Sequence, residues 1–229
     1  MAESKPATQG RTKGNVSQLG LNAGVITKLR SGHTIDISVS GTWPSASSEP
    51  AGSLPTTYDQ TIYTVKGRMF IRINPNLDIV PLFNLFTSSG EAKIGDGSAV
   101  ISTDLVSFKI ITGGLGINYR YDDFLITGGP GLRFTIINIP AVAGLEPKLT
   151  NTYFSFPVWN LGVEWYAAGW LIARLGYTAE TVKTTLESSA GPDSKNENIG
   201  TEYIPGEVRA GIGIRTGRFS IYATINSDV

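Results

Sequence analysis

Hydrophobic and polar positions alternate with a period of two along nearly the whole chain, and helical periodicity is almost absent. In Phe124–Ile137, apolar or small residues occupy one set of alternate positions, whereas threonine, arginine and glycine occupy the other. The same contrast recurs in residues 61–74, 111–121 and 208–215. Because successive side chains point to opposite faces of a strand, each segment is predicted to be a β-strand with one apolar and one polar face.

The alternation, together with the turn-forming residues between segments, predicts ten strands. They are Asn15–Leu29, Thr34–Trp43, Thr61–Asn74, Leu77–Ser88, Leu105–Tyr121, Phe124–Ile137, Thr152–Tyr166, Trp170–Thr181, Ile204–Arg215 and Phe219–Asn226. Short turns alternate with long polar connections, which are predicted at 44–60, 89–104, 138–151 and 182–203. This order predicts one antiparallel up-and-down β domain over residues 15–229, preceded by a flexible N-terminal segment over residues 1–14.

The position of the glycines bears on which face meets water. In a soluble lipocalin-like barrel or sandwich the apolar face would form the core, whereas in a transmembrane barrel it would face lipid and the polar face would line the lumen. Glycines repeatedly occupy the polar face, as at Gly114, Gly129 and Gly213. Glycine weakens a water-facing strand but suits a crowded, curved inner wall. The pattern therefore favours an all-β, antiparallel up-and-down transmembrane β-barrel in a bacterial outer membrane, with the lipid bilayer as its partner; the soluble ligand-binding barrel remains the alternative.

Aromatic residues gather at the predicted strand ends, as expected where rings settle at the headgroup level. One group flanks the short turns and comprises Tyr119, Tyr121, Phe124, Trp165, Tyr166 and Trp170. A second group near the long connections comprises Trp43, Tyr63, Tyr153 and Tyr177. These groups predict two aromatic girdles.

The polar faces supply the candidate functional residues. The predicted polar lining of the lumen comprises Lys66, Arg68, Arg72, Asn118, Arg120, Arg133, Glu164, Arg174, Arg209 and Arg215. Glu164 and Arg174 are expected to pair, because either charge buried alone would be costly. Five phenylalanines predicted on the same face either fill the barrel mouth or form an apolar ligand vestibule; they are Phe70, Phe86, Phe108, Phe154 and Phe156.

Composition argues against several other functions. Lys+Arg and Asp+Glu both number 19, so no net charge draws the protein to nucleic acid, and none is expected as a partner. The chain has no cysteine and one histidine, His33, in a predicted tight turn. No spaced set of metal ligands or catalytic residues is visible, so we predict no enzyme activity, no metal site and no cofactor.

The stretch NLGVEWYAAGWLIARLGY, residues 160–177, resembles a hairpin of the fatty-acid-transporter (FadL-type) outer-membrane barrels and their relatives. The matching residues are Gly162, Glu164, Trp165, Arg174, Gly176 and Tyr177, and the next hairpin, from Val208, is also similar. The resemblance implies passive uptake of hydrophobic compounds, or a non-transporting relative that serves as an outer-membrane partner. Members of that family have more strands and an N-terminal plug, which residues 1–14 do not match.

The predicted function is a channel or transporter for small solutes, hydrophobic ones included. The alternatives are a non-conducting barrel that anchors or scaffolds protein partners through its long loops, and the soluble ligand-binding barrel. Ten strands in this order place both ends of the chain on the long-loop side, whereas a complete barrel has them beside the short turns. We therefore expect the chain to be an internal part of a larger barrel, or its end strands to pair unusually.

Overall fold

The computed structural model describes residues 13–49, 53–95, 100–141, 148–191, 194–216 and 219–226. Eleven β-strands account for most of this part of the chain. They are β1 (Lys13–Lys28), β2 (Thr34–Glu49), β3 (Thr56–Asn74), β4 (Leu77–Gly95), β5 (Val100–Asp104), β6 (Ser107–Tyr121), β7 (Phe124–Ile139), β8 (Lys148–Ala168), β9 (Leu171–Gly191), β10 (Ser194–Thr216) and β11 (Phe219–Asn226). Within these ranges, no helix has the length and hydrophobicity needed to cross a membrane.

The strands form a single antiparallel up-and-down sheet, as predicted. Its order is β1-β2-β3-β4-β6-β7-β8-β9-β10-β11, and β5 pairs with β4. β4 pairs with β6 over Leu77–Ser88 and with β5 over Glu91–Gly95, so β5 extends the line of β6 along the same neighbour. In the described residues β1 and β11 are the two edges of the sheet and are not paired with each other. That the chain is an internal part of a larger barrel stays a prediction.

The predicted long connections are mostly strand, which corrects the sequence-based bounds. β9 and β10 continue to Gly191 and from Ser194, through most of the connection predicted at 182–203. β4 likewise runs to Gly95, and β5 lies wholly within the connection predicted at 89–104. These extensions are rich in Ser, Thr, Glu and Lys. They lack apolar alternation, but an antiparallel ladder needs only backbone pairing and tolerates polar side chains on both faces in water.

The first strand begins close to its predicted start, and the division of the chain into two parts stays a prediction. β1 begins at Lys13, two residues before the predicted first strand. The predicted flexible segment, residues 1–14, lies outside the described residues up to residue 12.

The ladder register sorts side chains onto two faces, because residues directly opposite each other share a face. The apolar face carries large exposed side chains such as Leu115, 55% exposed, and Ile212, 58% exposed. Buried apolar residues such as Val80, 7% exposed, and Val158, 4% exposed, lie among the charges of the polar face. Side chains therefore crowd on the polar side, whereas the exposed surface is apolar, the reverse of a soluble barrel.

Candidate functional site: the polar face of the sheet

The ten polar residues predicted to line a lumen lie on one face of the sheet. The register connects them from strand to strand through opposed pairs such as Arg68 and Leu82, Leu82 and Gly114, and Gly114 and Gly131. Lys66 lies opposite Ser38 and Asn84. Arg215 lies opposite Ser220, and its backbone N–H donates a hydrogen bond to the Trp170 carbonyl at 2.8 Å.

We call the end of the sheet with the connections 29–33, 75–76, 122–123 and 169–170 the turn end. Near it, the carboxylate of Asp78 on β4 accepts hydrogen bonds from two arginines. Arg72 on β3 donates through Nε at 3.0 Å, and Arg120 on β6 donates through Nη1 at 3.5 Å. Asp78 is 3% exposed, and Asn118 lies opposite it on β6. One buried carboxylate thus joins three neighbouring strands.

A second ion pair joins β8 and β9, as the sequence predicted. Glu164 and Arg174 are opposed in the ladder, and the Arg174 Nε lies 2.8 Å from the Glu164 Oε1. The Tyr166 hydroxyl donates a hydrogen bond to Glu164 Oε2 at 3.1 Å. The Arg174 guanidinium lies 4.3 Å from the centre of the Tyr222 ring, a cation–π contact with β11. The expected pairing of Glu164 with Arg174 is confirmed.

A third pair near the turn end joins β2 and β3. Arg68 Nε donates a hydrogen bond to Asp36 Oδ2 at 2.8 Å, and the two residues are opposed in the ladder. The Arg68 guanidinium lies 5.2 Å from the centre of the Phe70 ring. The arginines of these three clusters are therefore each paired with a carboxylate and do not extend freely from the polar face.

Two further pairs lie farther from the turn end, on β7, β9 and β10. Arg133 Nη1 donates a hydrogen bond to Glu180 Oε1 at 3.3 Å, and Arg209 Nη2 donates one to Glu207 Oε2 at 2.6 Å. All four side chains border one cavity of about 430 Å³, which Val158 and Asn160 of β8 also line. We call this cavity the β7–β10 cleft.

The sequence analysis missed the acidic partners in the cleft. The even-numbered residues of β9 from Arg174 onward share its face, so the two-residue period alone could have placed Glu180. Glu207 could not be placed in that way, because the register between β9 and β10 shifts between Ile204 and Glu207.

The predicted apolar vestibule is only partly supported by the geometry. Phe86 and Phe108 lie on the polar face at diagonal positions, since Phe86 is opposite Ile110 and Phe108 is opposite Ser88. Phe70 lies beside Arg68 near the turn end, instead of toward the mouth as predicted. A cluster of five phenylalanines does not form.

Phe154 lies on the apolar face, which corrects its predicted position. Phe156 follows Ser155, whose partner Arg133 is on the polar face, so alternation assigns Phe156 to the apolar face as well. Phe154 lies opposite Phe134 of the apolar face. The Phe154 and Phe156 side chains are 42% and 57% exposed. The register of β8 shifts between Ser155 and Val158 against both neighbours, β7 and β9. Pro157 lies in this bulge and has no N–H to donate to a ladder. The extra residue reverses the faces beyond it, so Tyr153, predicted in a girdle, lies opposite Thr135 on the polar face.

Aromatic pairs mark both rims of the apolar face. Near the turn end Phe124 and Trp165 stack with their ring centres 6.1 Å apart. Toward the other end Trp43 and Tyr63 meet edge to face at 6.0 Å. On β3, Tyr63 lies at one rim and Ile73 lies beside the turn at the other end. The strand rises roughly 33 Å between them, which becomes about 25 Å across a bilayer at a tilt of 40°. This span equals the apolar band of an outer-membrane barrel.

Comparison with known proteins gives structural likeness only. No family model matches the sequence, and no curated protein shows a significant match. Among solved structures, the ferric-catecholate import receptor Fiu from K12 E. coli, in its closed form, matches at 12% identity with a TM-score of 0.52. The match covers 95% of this chain and 44% of the receptor, so the chain spans less than half of that protein. The β domain of the Bordetella autotransporter BrkA matches at 12% identity and a TM-score of 0.43, over 95% of this chain and 87% of that domain.

The fold is that of outer-membrane β-barrels. The exposed apolar face fits the predicted bacterial outer-membrane location. Neither comparison bears on a FadL-type relationship.

Proposed function

We propose that the chain forms the wall of an outer-membrane β-barrel through which small polar solutes pass. The observation that carries the proposal is the single polar face, on which ion pairs recur from β2 to β10 behind an exposed apolar face. A charged wall turned toward a lumen keeps water and polar solutes in contact with the protein across the bilayer. The apolar face on the other side of the same strands would contact lipid.

The resemblance to FadL-type barrels points instead to hydrophobic solutes, and that specificity stays a prediction. The polar face offers such a solute the half-buried rings of Phe86 and Phe108. Six ion pairs occupy the remainder of the face, and an apolar solute beside them would displace their water without replacing its hydrogen bonds. Polar solutes therefore fit the wall better. The expectation that the protein is not an enzyme also stays a prediction.

Reconstitution tests the proposal directly. The protein is folded into planar bilayers and into liposomes, and folding is checked by the altered electrophoretic mobility of the unheated sample. We expect stepwise conductance and osmotic swelling of the liposomes in small sugars. A heat-denatured sample serves as the control. Folded protein that gives neither conductance nor swelling would overturn the proposal.

A scaffold function is the second candidate, and the length of the strands favours it. β8, β9 and β10 have 21, 21 and 23 residues, about twice the 9–11 that cross a bilayer. Beyond the Trp43–Tyr63 rim they would form a polar sheet outside the membrane, which partner proteins could contact. A folded barrel without conductance, whose extension is cleaved by protease added outside intact liposomes, would favour this function.

A further inference from the structure

We infer that the β7–β10 cleft is a binding site for a small zwitterion of the short-peptide class, with a cationic ammonium group at one end and a carboxylate at the other. The inference rests on the proposed function and names the class of solute that the wall would take. It is carried by four charged side chains around one cavity, Arg133, Glu180, Glu207 and Arg209, and by an acceptor that they leave unpaired.

The unpaired acceptor is the Oε2 atom of Glu180. The Glu180 side chain is 18% exposed, and its Oε1 accepts the hydrogen bond from Arg133. Oε2 is buried, and within the described residues it has no hydrogen-bond partner. A buried carboxylate oxygen without a donor costs free energy. Because Glu180 lines the cleft, a rotation of its carboxylate would turn this oxygen toward a solute N–H group and remove that cost. An ammonium group supplies both the donor and the opposite charge.

The arginines provide the complementary end of the site. Each guanidinium carries five N–H donors, and each is shown donating to one carboxylate. The Arg133 and Arg209 side chains remain 41% and 51% exposed, so they have donors left for a further carboxylate. The formal charges of the four side chains cancel. A neutral molecule with separated charges therefore fits the cleft without leaving either sign in excess.

The middle of the cleft suits a peptide group. Asn160 and Thr178 line it, and a side-chain amide can both donate to a peptide carbonyl and accept from a peptide N–H. Val158 and Asn160 also line an adjoining depression of about 200 Å³, paved with Gly114, Gly129 and Gly131. A Cβ on Gly131 would lie 3.0 Å from the Gly113 carbonyl oxygen, so the ladder itself keeps this depression free of side chains. Its size suits a methyl-sized side chain of the solute.

The test uses trialanine and two analogues with the same body: acetyl-trialanine, which lacks the ammonium group, and trialanine amide, which lacks the carboxylate. Binding is measured by isothermal titration with the full chain folded in detergent micelles. Each missing charge should weaken binding at least about tenfold, as expected for a charge-assisted hydrogen bond. Glu180→Gln should remove the preference for trialanine over its acetyl form, and Arg209→Gln should remove the preference over its amide.

Asp36→Asn is the matched control, since it breaks a polar-face pair that does not border the cleft. This variant should keep both preferences. Equal binding of the three peptides, or none by protein of native mobility, would overturn the inference. Liposome swelling separates it from the proposed function. Swelling without peptide discrimination would overturn the cleft and leave the channel. Binding with both preferences but without swelling would leave the cleft and overturn the channel.

Discussion

Arg174 lies directly across the β8–β9 ladder from Glu164, with its Nε 2.8 Å from the Glu164 Oε1. That Nε is buried, and within the described residues Glu164 is the acidic group that pairs with it. The two side chains are only 35% and 26% exposed. The pair is therefore intermediate between a surface ion pair, which contributes little, and a buried pair, whose disruption is costly.

Glu164→Gln should destabilise the folded protein by about 1–2 kcal/mol, because Arg174 keeps its charge and loses its carboxylate. It should also increase the anion selectivity of any pore. The free energy is measured by denaturant titration in phospholipid vesicles and the selectivity by reversal potentials. Glu91→Gln, which removes the acidic partner of exposed Lys93, should leave both unchanged. An unchanged free energy for Glu164→Gln would contradict the role assigned to the pair.

Asp78→Asn should cost more, since it leaves two arginines without their shared carboxylate. The Asp78 side chain is 4% exposed, but Arg72 and Arg120 are 49% and 51% exposed and regain some hydration. We expect a loss of about 2–3 kcal/mol, below the full cost of breaking a buried pair. The same vesicle titration measures it. A smaller loss than that of Glu164→Gln would show that Asp78 does not bridge the three strands.

The two-residue period was enough to predict the ten main strands, and it placed all ten candidate polar residues on one face. Leu115 and Ile212 were assigned to the apolar face in this way, and the register agrees. The alternation predicts the faces because the two sides of each strand lie in different surroundings. One side is exposed and apolar, and the other packs against side chains of neighbouring strands. Acidic partners such as Glu180 follow from the same rule.

The alternation of hydrophobic and polar residues could not predict where the β-bulges lie. In β8 the segment from Phe154 to Val158, which is apolar except for Ser155, contains Pro157, and nothing in the alternation shows which side of the proline keeps the register. In β10 the shift beside Pro205 and Gly206 hid Glu207 in the same way. Proline in a predicted strand was the available signal, because it cannot donate to the ladder. The polar strand extensions had no signal at all in a pattern that relies on hydrophobicity.

Gly128→Ala should destabilise the sheet, whereas Gly67→Ala should not. Gly128 has φ of +148°, and a Cβ there would clash with the Asn160 carbonyl oxygen. A Cβ at Gly67 would meet no atom within 4 Å. We expect a loss of about 1–3 kcal/mol for Gly128→Ala and a change within about 1 kcal/mol, in the stabilising direction, for Gly67→Ala. Denaturant titration of both variants decides the point, and equal effects would contradict the close approach of β7 to β8.

Ile212→Arg should impair insertion, because the side chain is 58% exposed on the apolar face. A cost of about 2–4 kcal/mol is expected near the bilayer midplane. Thr224→Arg is the control, since Thr224 is exposed on the polar face of the neighbouring strand, opposite Gly211. The yield of folded protein in vesicles and its unfolding free energy are compared. A cost for Thr224→Arg as large as that for Ile212→Arg would mean that the two faces are wrongly assigned.

The bulge in β8 predicts that Phe156 contacts lipid while Phe108 does not. Both lie at a similar distance from the turn end, but Phe156 is 57% exposed on the apolar face and Phe108 is opposite Ser88 on the polar face. The chain has no cysteine, so Phe156→Cys and Phe108→Cys can each carry a single fluorescent label. In vesicles, the label at position 156 should be quenched by lipids that carry a spin label near the headgroup, and the label at position 108 should not. Iodide in the aqueous phase should give the opposite order and quench the label at position 108 more than the label at position 156. Lipid quenching at position 108 but not at 156 would restore the unbulged register, in which every even-numbered residue of β8 faces the lumen.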